Sequence, residues 1–403
     1  MLQTDPRYAV QWSQTYYVAL DSSGETVKAD DGYVAIYTSE ADAAANGTAE
    51  LLQASHMDSV PMDDTTRWNQ LANMLSYYEA DGLMGDNQWR SAAAPSIGKP
   101  MQIAVDGPGE PGNGQNDSST WFPCAVIVAA TWNPECAFED YGECYGDQAV
   151  TNDKPYCYAP AMNTHRTPFG GRSFEYYSED GFIAGVIGGS AAAGIMSRGA
   201  HVFIKHYALN DSDTNRNGVC TWADEASIRT IYAKPYEIAA KYYKADGIMG
   251  SLNRMGMAWS HHGFYKQMTR DEWGWNGMYI TDGDGGSGDQ YNNYSYWTIN
   301  NYAGLLGGGK ICETGDTAFA TAGGSGDLIN TSGSNATNYV QYVIHYVGMT
   351  AAYQYGHNID IVTYEPNYTV PTVILAVVDG VLLVALLVML FAVALPGLRK
   401  KEN

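Results

Sequence analysis

An aspartate that could act as a nucleophile or a base, Asp282, stands at the end of a short apolar run. The run Gly277-Met-Tyr-Ile-Thr has the composition of a β-strand, and a glycine-rich stretch follows it. A side chain at the end of a buried strand is fixed in space, and the glycines leave room above it. Taken alone, the pattern also fits a polar turn that caps a strand. Its repetition upstream favours the chemical interpretation.

The same arrangement occurs three more times along the chain. Residues 101–106 are predicted to form a strand that ends on Asp106, residues 201–206 a strand that ends on Lys205 and His206, and residues 247–253 a strand that ends on Asn253. Between and around the strands, apolar spacing predicts helices over residues 65–78, 183–196, 224–246 with a kink at Pro235, 264–273 and 338–355.

Alternating strands and helices, with polar residues at the carboxyl ends of the strands, are typical of a parallel sheet. In a (β/α)8 TIM-like barrel these ends converge on one face, which is where the active site lies. An open doubly wound sheet is the main alternative. It is disfavoured because no dinucleotide-binding glycine motif follows any of the strands.

Composition limits the partners of the protein. The 403 residues are 45% hydrophobic and 16% charged, which is enough apolar sequence for a large core. The formal net charge of -22 would repel nucleic-acid phosphates, so no nucleic acid is expected as a partner. The 31 tyrosines and 10 tryptophans often lie in polar, glycine-rich surroundings, which favours carbohydrate as a ligand.

No cofactor and no metal site are expected. The six cysteines form no Cys-x-x-Cys pair and have no histidine at zinc-ligand spacing. Four of them, between Cys124 and Cys157, are compatible with one or two disulfides if the domain lies outside the cell.

A long apolar run near the carboxyl terminus predicts a single transmembrane helix over residues 369–396. Arg399, Lys400 and Lys401 follow it, so the positive-inside rule predicts a cytoplasmic carboxyl terminus and an extracellular catalytic domain at the cell membrane. The residues after Met1 do not have the pattern of a signal peptide. The helix is therefore expected to be a tail anchor, or the chain to be part of a longer protein.

Several motifs between residues 65 and 290 resemble glycoside hydrolase family 3 in their order and content. They are Asp106-Gly-Pro, Phe122-Pro, Ala130-Thr-Trp-Asn-Pro-Glu, Arg166-Thr-Pro-Phe-Gly-Gly-Arg172-Ser-Phe-Glu, Lys205-His206-Tyr-Ala-Leu-Asn-Asp, Thr214-Asn-Arg216, Asn253-Arg and Arg270-Asp-Glu-Trp-Gly-Trp-Asn-Gly277. The chain resembles the barrel domain of a β-glucosidase of that family.

The resemblance implies a role for each predicted site residue. Asp282 corresponds to the catalytic nucleophile, and Asp106, Arg172, Lys205 and His206 correspond to the residues that hold the hydroxyls of the sugar. Carboxylate, guanidinium and ammonium groups can bind vicinal hydroxyls through charge-assisted hydrogen bonds. Attack by Asp282 on the anomeric carbon would give a covalent glycosyl-enzyme and net retention.

Some positions depart from the family pattern. Gly283 follows the nucleophile where a tryptophan is usual, Leu252 replaces an aromatic residue, and Ser173 replaces an asparagine. These changes affect the expected leaving-group site. A calcium loop with EF-hand-like spacing over residues 213–224 is disfavoured, because the family motif already accounts for Asp211 to Arg216.

The second catalytic group of the family, an acid/base glutamate, comes from a separate sandwich domain. The chain is expected to be the carboxyl-terminal half of such a protein, with the sandwich domain upstream or on another chain. The predicted organisation is a segment of unknown role (1–62), the barrel domain (63–345), a juxtamembrane stalk (346–368), the transmembrane helix (369–396) and a basic tail (397–403).

The predicted function is a retaining, exo-acting β-glycosidase whose substrate is an oligosaccharide or a β-glucoside. The alternative is a non-catalytic, membrane-anchored sugar-binding barrel.

Overall fold

The computed structural model describes residues 13–282, apart from 62–63, 77, 80–81, 84–88, 110, 113–118, 215, 217–219, 256, 259–265, 276 and 281, together with residues 378 and 381–385. The chain divides into two compact units, Met1–Val362 and Thr363–Asn403. The predicted helix over residues 338–355 and the predicted stalk and tail lie outside the described residues. The predicted domain boundaries stay predictions.

The amino-terminal part forms a small antiparallel ribbon and one amphipathic helix. Strand β1 (Tyr17–Leu20) pairs with β2 (Thr48–Leu51), and α1 (Glu40–Ala44) lies between them in sequence. Helix α2 (Thr65–Asn73) begins where the Asp64 carboxylate accepts a hydrogen bond from the backbone N–H of Arg67. It buries Trp68 and Leu71 as its spacing predicts, and it ends five residues earlier than predicted.

The remaining strands build the sheets that carry the site. They are β3 (Arg90–Ser91), β4 (Gln102–Asp106), β5 (Tyr156–Tyr158), β6 (His201–Val202), β7 (Ile204–Tyr207), β8 (Gly247–Gly250), β9 (Arg254–Met255), β10 (Met257–Ala258) and β11 (Met278–Ile280). One sheet has the order β3-β4-β5-β6, and a second has the order β11-β8-β7. All pairs in these two sheets are parallel except β3 with β4, and β9 and β10 form a separate antiparallel pair.

The segment 201–207 connects the two sheets, because β6 pairs with β5 while β7 pairs with β8. Between them, the N–H of Phe203 donates to Cys157 O (2.8 Å) and keeps the segment beside β5. At its amino-terminal end, His201 Nδ1 lies 2.6 Å from an Asp246 carboxylate oxygen, and the other oxygen accepts from the N–H of Val202 (3.0 Å). The strand segment that carries Lys205 and His206 thus lies between β5 and β8.

Helices follow the parallel strands. They are α3 (Ala125–Ala130), α4 (Pro134–Cys136), α5 (Cys144–Thr151), α6 (Gly181–Ser197), α7 (Glu225–Ser227) and α8 (Lys234–Tyr242), with π-helical segments Ala137–Glu143, Ile228–Tyr232 and Lys266–Glu272. The helix predicted over residues 183–196 is confirmed by α6. The helix predicted over residues 224–246 is divided, and its last part begins next to Pro235.

Helix α6 is the centre of the helical layer, and close backbone approach explains its small residues. A Cβ placed on Gly194 would lie 2.9 Å from Gly142 Cα in the neighbouring π-helical segment and against Phe138 O. On the opposite side, a Cβ at Gly185 would lie 2.8 Å from a methyl group of Ile238 in α8. The predicted close packing of this helix is therefore confirmed.

The predicted fold class, a (β/α)8 barrel followed by one transmembrane helix, is wrong in two respects. The sheet β3-β4-β5-β6 is mixed, because the short β3 lies antiparallel beside β4, and the connection between them is bridged at Ala94 and Lys99. No helix among the described residues is long and apolar enough to cross a membrane. Of residues 369–396, the structure describes only 378 and 381–385, and these are helical. The predicted cellular location is not tested.

The five cysteines within the described residues have free thiols: Cys124, Cys136, Cys144, Cys157 and Cys220. Cys157 is buried in β5, where burial raises the pKa of its thiol. The one or two disulfides considered for an extracellular domain, among the four cysteines from Cys124 to Cys157, are therefore not formed in this structure.

The contact between Gly194 and Gly142 predicts a stability effect. We expect Gly194→Ala to reduce the free energy of unfolding by about 1–3 kcal/mol, because the new methyl group would overlap backbone atoms that cannot move independently. Urea denaturation of the purified protein measures this change. The control is Gly82→Ala, where the new methyl group would meet only Ala92 Cβ at 3.4 Å. Equal stability of the two variants would contradict the packing argument.

Candidate active site

An ion pair at the carboxyl edge of the sheet joins Asp106 to Lys205. Asp106 is the last residue of β4, and Lys205 lies in β7. The Lys205 ammonium donates to Asp106 Oδ1 (2.6 Å) and to Gly107 O (2.8 Å). The Lys205 side chain is 2% exposed, whereas that of Asp106 is 51% exposed. The ammonium group is therefore buried, and the aspartate is the exposed member of the pair.

The electrostatic surroundings keep Asp106 ionised. Burial would raise the pKa of Asp106, but the Lys205 charge and hydrogen bond, the N–H of Gly107 and the charge of Arg172 together hold the pKa below its ordinary value. An ionised carboxylate beside an ammonium group presents both an acceptor and a donor to vicinal hydroxyls.

Arg172 lies in the connection between β5 and α6, where two carboxylates orient it. Its Nε atom pairs with the buried Glu175 carboxylate, and its Nη1 atom lies 3.8 Å from Asp213 Oδ1. Burial alone would lower the pKa of Arg172, but the Glu175 carboxylate and the nearby Asp282 contribute to raising it. The guanidinium is thus a fixed positive charge.

His206 follows Lys205 and is clamped through its backbone. The side chain of Asn163 accepts from the N–H of His206 (2.8 Å) and donates to its carbonyl oxygen (2.9 Å). Burial and the positive charges of Arg172, Lys205 and Arg216 hold the pKa of His206 well below its ordinary value, so the imidazole is neutral at pH 7. Its Nδ1 atom is buried and has no hydrogen-bond partner among the described residues.

Asp282 lies two residues after β11, beside the other charged groups. Burial raises the pKa of Asp282, the charges of Arg216, Arg172 and Lys205 lower it, and Asp106 raises it again, with a net increase. These influences place Asp282 in the same charged cluster as Asp106, Arg172 and Lys205. The structure thus brings the predicted site residues together, and the roles assigned to them stay predictions.

Sequence reasoning missed three residues of this cluster. Among the neighbouring cations, Arg216 lowers the pKa of Asp282 the most. Asp213 Oδ1 lies 3.2 Å from Arg216 Nη1 and also faces Arg172, and Glu175 pairs with Arg172. All three belong to the quoted motifs or lie next to them, so a motif signal was available. Their pairing depends on the tertiary fold and could not be read from spacing.

Two other polar positions have structural partners. Asn253 is buried three residues after β8, and its side-chain amide donates to Ala208 O and Thr221 Oγ1, both at 3.1 Å. Asp224, in the disfavoured calcium loop, accepts from the N–H of Ser227 and caps α7. No group of three or more metal-type ligands occurs among the described residues.

Comparisons with known proteins agree on one family. The model of the glycosyl hydrolase family 3 N terminal domain matches residues 48–294. Beta-glucosidase B of Emericella nidulans is 35% identical over 212 residues, which are 50% of this chain and 24% of that protein. Beta-glucosidase A of Butyrivibrio fibrisolvens is 34% identical over 219 residues, 53% of this chain and 26% of that protein. The match thus spans about a quarter of these relatives.

Solved structures show the same fold. A family 3 beta-glucosidase of Bifidobacterium adolescentis superposes with a TM-score of 0.57 and 25% identity, over 72% of this chain and 40% of that chain. The beta-glucosidase of Kluyveromyces marxianus in complex with glucose superposes with a TM-score of 0.61 over 74% of this chain and 35% of that chain, at 23% identity.

The sheets and the charged cluster define an α/β protein with a carboxylate-centred site at the carboxyl edge of parallel strands. Because the family model matches well over half of its residues, the chain belongs to glycosyl hydrolase family 3, in the part that corresponds to the N-terminal domain. The resemblance inferred from the motifs is confirmed. The enzyme class, glycoside hydrolase, is confirmed at the level of the family.

The opposite pKa directions of the two aspartates predict opposite stability effects. A carboxylate whose pKa is raised by folding opposes folding above its ordinary pKa of about 4. We therefore expect Asp282→Asn to increase the free energy of unfolding at pH 7 by about 1 kcal/mol, with a gain that decreases as the pH falls toward 4. Asp106→Asn removes a carboxylate whose pKa is lowered by folding, so it should decrease stability at pH 7, and this loss should diminish only as the pH falls below about 4.

Urea denaturation of both variants and the unmodified protein between pH 7 and about pH 3 measures these differences. A loss of stability in Asp282→Asn at pH 7 would show that the carboxylate is stabilised by its neighbours rather than opposed by burial.

Proposed function

We propose that this chain carries the nucleophile half of a retaining, exo-acting β-glycosidase of the β-glucosidase type. The observation that supports it is the position of Asp282, a buried carboxylate with a raised pKa that faces Arg172, Arg216 and Lys205. A raised pKa makes a carboxylate more basic and more nucleophilic. The adjacent Asp106–Lys205 pair suits the hydroxyls of one terminal sugar.

The charge balance of the cluster fits this chemistry. Three cations face four carboxylates when Asp282 is ionised, which leaves one net negative charge: Arg172, Arg216 and Lys205 against Asp106, Asp213, Asp282 and Glu175. Glycoside cleavage passes through an oxocarbenium-like transition state with positive charge at the anomeric carbon. The net negative charge therefore stabilises the transition state more than a neutral substrate.

In the proposed reaction, one Asp282 oxygen forms a bond to the anomeric carbon while the bond to the leaving-group oxygen breaks. Protonation of the leaving group needs a second carboxyl group about 5 Å away. Asp106 is unsuited to this task, because its pKa is lowered and it pairs with Lys205. We infer that a separate domain supplies the acid/base, in line with the quarter of the relatives' length that the match spans.

A mechanism-based sugar tests the nucleophile independently of the acid. A 2-deoxy-2-fluoro-β-glucoside with a dinitrophenolate leaving group needs no protonation, because that leaving group departs as an anion. We expect a stable glycosyl adduct on Asp282, detected by intact mass and peptide mapping. Asp282→Asn should form none. Asp106→Asn should slow adduct formation by about 10- to 100-fold, because a charge-assisted hydrogen bond to the sugar is lost.

The alternative function, a sugar-binding module without turnover, predicts no adduct on a folded protein with any glycone. Thermal unfolding of each variant checks that the protein is folded. An adduct on a residue other than Asp282 would refute the assignment of the nucleophile.

A further inference from the structure

One oxygen of Asp213, a residue to which the proposed reaction gives no role, faces two arginines. Asp213 Oδ1 lies 3.2 Å from Arg216 Nη1 and 3.8 Å from Arg172 Nη1. Asp213 and Arg216 belong to the connection between β7 and α7, whereas Arg172 belongs to the connection between β5 and α6. The carboxylate is therefore a contact between two loops as well as a contact within one of them.

The pairing of Asp213 with Arg216 alone would need no functional explanation. The two residues are close in sequence, the N–H of Arg216 donates to Asp213 O (3.2 Å), and the Asp213 side chain is 40% exposed. Ion pairs of this kind on a protein surface contribute little to stability. The contact with Arg172 is different, because it depends on how the two loops pack.

The two loops approach each other closely enough to fix the position of Asp213. The N–H of Asp213 donates to Gly170 O (2.8 Å). A Cβ placed on Gly171, whose φ of +88° favours glycine, would lie 3.1 Å from Asp213 Cβ. Just upstream, Asp211 Oδ1 accepts from the N–H and the hydroxyl of Thr164 (3.0 and 2.9 Å). The backbone that carries the carboxylate is thus held against the neighbouring loop.

Charge, rather than hydrogen-bond geometry, joins Asp213 to Arg216. Asp213 Oδ1 and Arg216 Nη1 are both buried, and neither atom has a hydrogen-bond partner among the described residues. An amide group at position 213 would have the same shape without the charge, so it would not replace this attraction. Without that charge, the two guanidinium groups beside it would repel each other.

The same two arginines act on Asp282. Burial raises the pKa of Asp282, and the cations that lower it the most are Arg216 and then Arg172. The charged and titratable groups that interact electrostatically with Asp282 include Arg216, Arg172, Lys205, Asp106 and Tyr279. A carboxylate that takes up part of the charge of the two arginines therefore weakens their attraction for Asp282.

We propose that Asp213 is a positioning residue: its carboxylate holds Arg172 and Arg216 side by side and takes up part of their positive charge, so that Asp282 is not fully neutralised. In the proposed reaction, the two guanidinium groups then keep their places while Asp282 forms its bond to the anomeric carbon. This last step rests on the proposed function. The electrostatic link between Asp213 and Asp282 does not depend on it.

A double-mutant cycle tests the electrostatic link without turnover. Urea denaturation at pH 7 gives the free energy of unfolding of the unmodified protein, Asp213→Asn, Asp282→Asn and the double variant. Without the Asp213 charge, the arginines attract Asp282 more strongly, its pKa is raised less by folding, and its ionised form opposes folding less. We therefore expect Asp282→Asn to stabilise the protein less in the Asp213→Asn background than in the unmodified protein.

The rate of adduct formation with the 2-deoxy-2-fluoro-β-glucoside gives a second readout. Attack requires an ionised carboxylate, so the rate falls at low pH as Asp282 is protonated. In Asp213→Asn the midpoint of this fall should move to lower pH by about 0.5–1 unit. Above the midpoint the rate should be about threefold to tenfold lower, because the guanidinium groups are no longer held. Asp213→Glu keeps the charge and should restore the midpoint, whereas a loss of packing alone would lower the rate without moving it.

Asp224→Asn is the matched control. It is the same substitution in the same connection, at a carboxylate that caps α7 through Ser227 (2.9 and 2.8 Å), and it should change neither the stability effect of Asp282→Asn nor the midpoint. Should Asp213→Asn not fold, Asp213→Ser also removes the charge and takes its place in both measurements.

Two results would each overturn the proposal: equal stabilisation by Asp282→Asn in the two backgrounds, or a midpoint that loss of the Asp213 charge does not move. The two hypotheses fail separately. If no adduct forms on any folded variant, the proposed function is rejected and the double-mutant cycle alone decides the role of Asp213. If the adduct forms on Asp282 with an unmoved midpoint, the role of Asp213 is rejected and the nucleophile stands.

Discussion

The ion pair between Lys205 and Asp106 is the interaction on which the site depends. The lysine is almost completely buried, and its ammonium group ends 2.6 Å from a carboxylate on β4, which belongs to the other sheet. A buried ammonium group without a partner would lose several kcal/mol of hydration free energy, so the pair constrains where β7 can lie relative to β4. The same pair places a half-exposed carboxylate at the open edge, with the buried ammonium group directly beside it. Under the proposed function, structural and ligand-binding demands would meet in one contact.

The strand that carries Lys205 can meet this demand because it is held along its whole length. Segment 201–207 pairs with β5 and β8, and Asp246 holds its first residues. Behind the sheet, α6 packs through glycines against its neighbours, so the helical layer sits close and leaves little freedom. A rigid strand with a clamped His206 gives the site fixed positions for its donors, which is the condition for electrostatic stabilisation of a transition state.

Much of this arrangement could be predicted from the sequence, and the reason is local. Short apolar runs ending at Asp106 and Lys205 mark strands whether or not their partners are known, and the small residues of 183–196 mark a closely packed helix. The antiparallel β3 has two residues, too few for a periodic signal. The roles of Asp213 and Glu175 depend on arginines that only the fold brings near. The transmembrane prediction depended on apolar length alone, and no helix among the described residues supports it.

Asp282 is a buried carboxylate whose surroundings disfavour its ionised form, which is unusual in a stable protein. Burial opposes its ionisation, and the cations around it only partly compensate, so the net effect is a raised pKa and a cost to folding. Each of those cations already has another carboxylate: Arg172 pairs with Glu175, Arg216 with Asp213 and Lys205 with Asp106. The result is an aspartate that its neighbours do not fully neutralise. A carboxylate fully satisfied by an arginine would be more stable and a weaker nucleophile. Under the proposed function, the shared cations would keep Asp282 reactive toward a developing positive charge, at the expense of stability at that position.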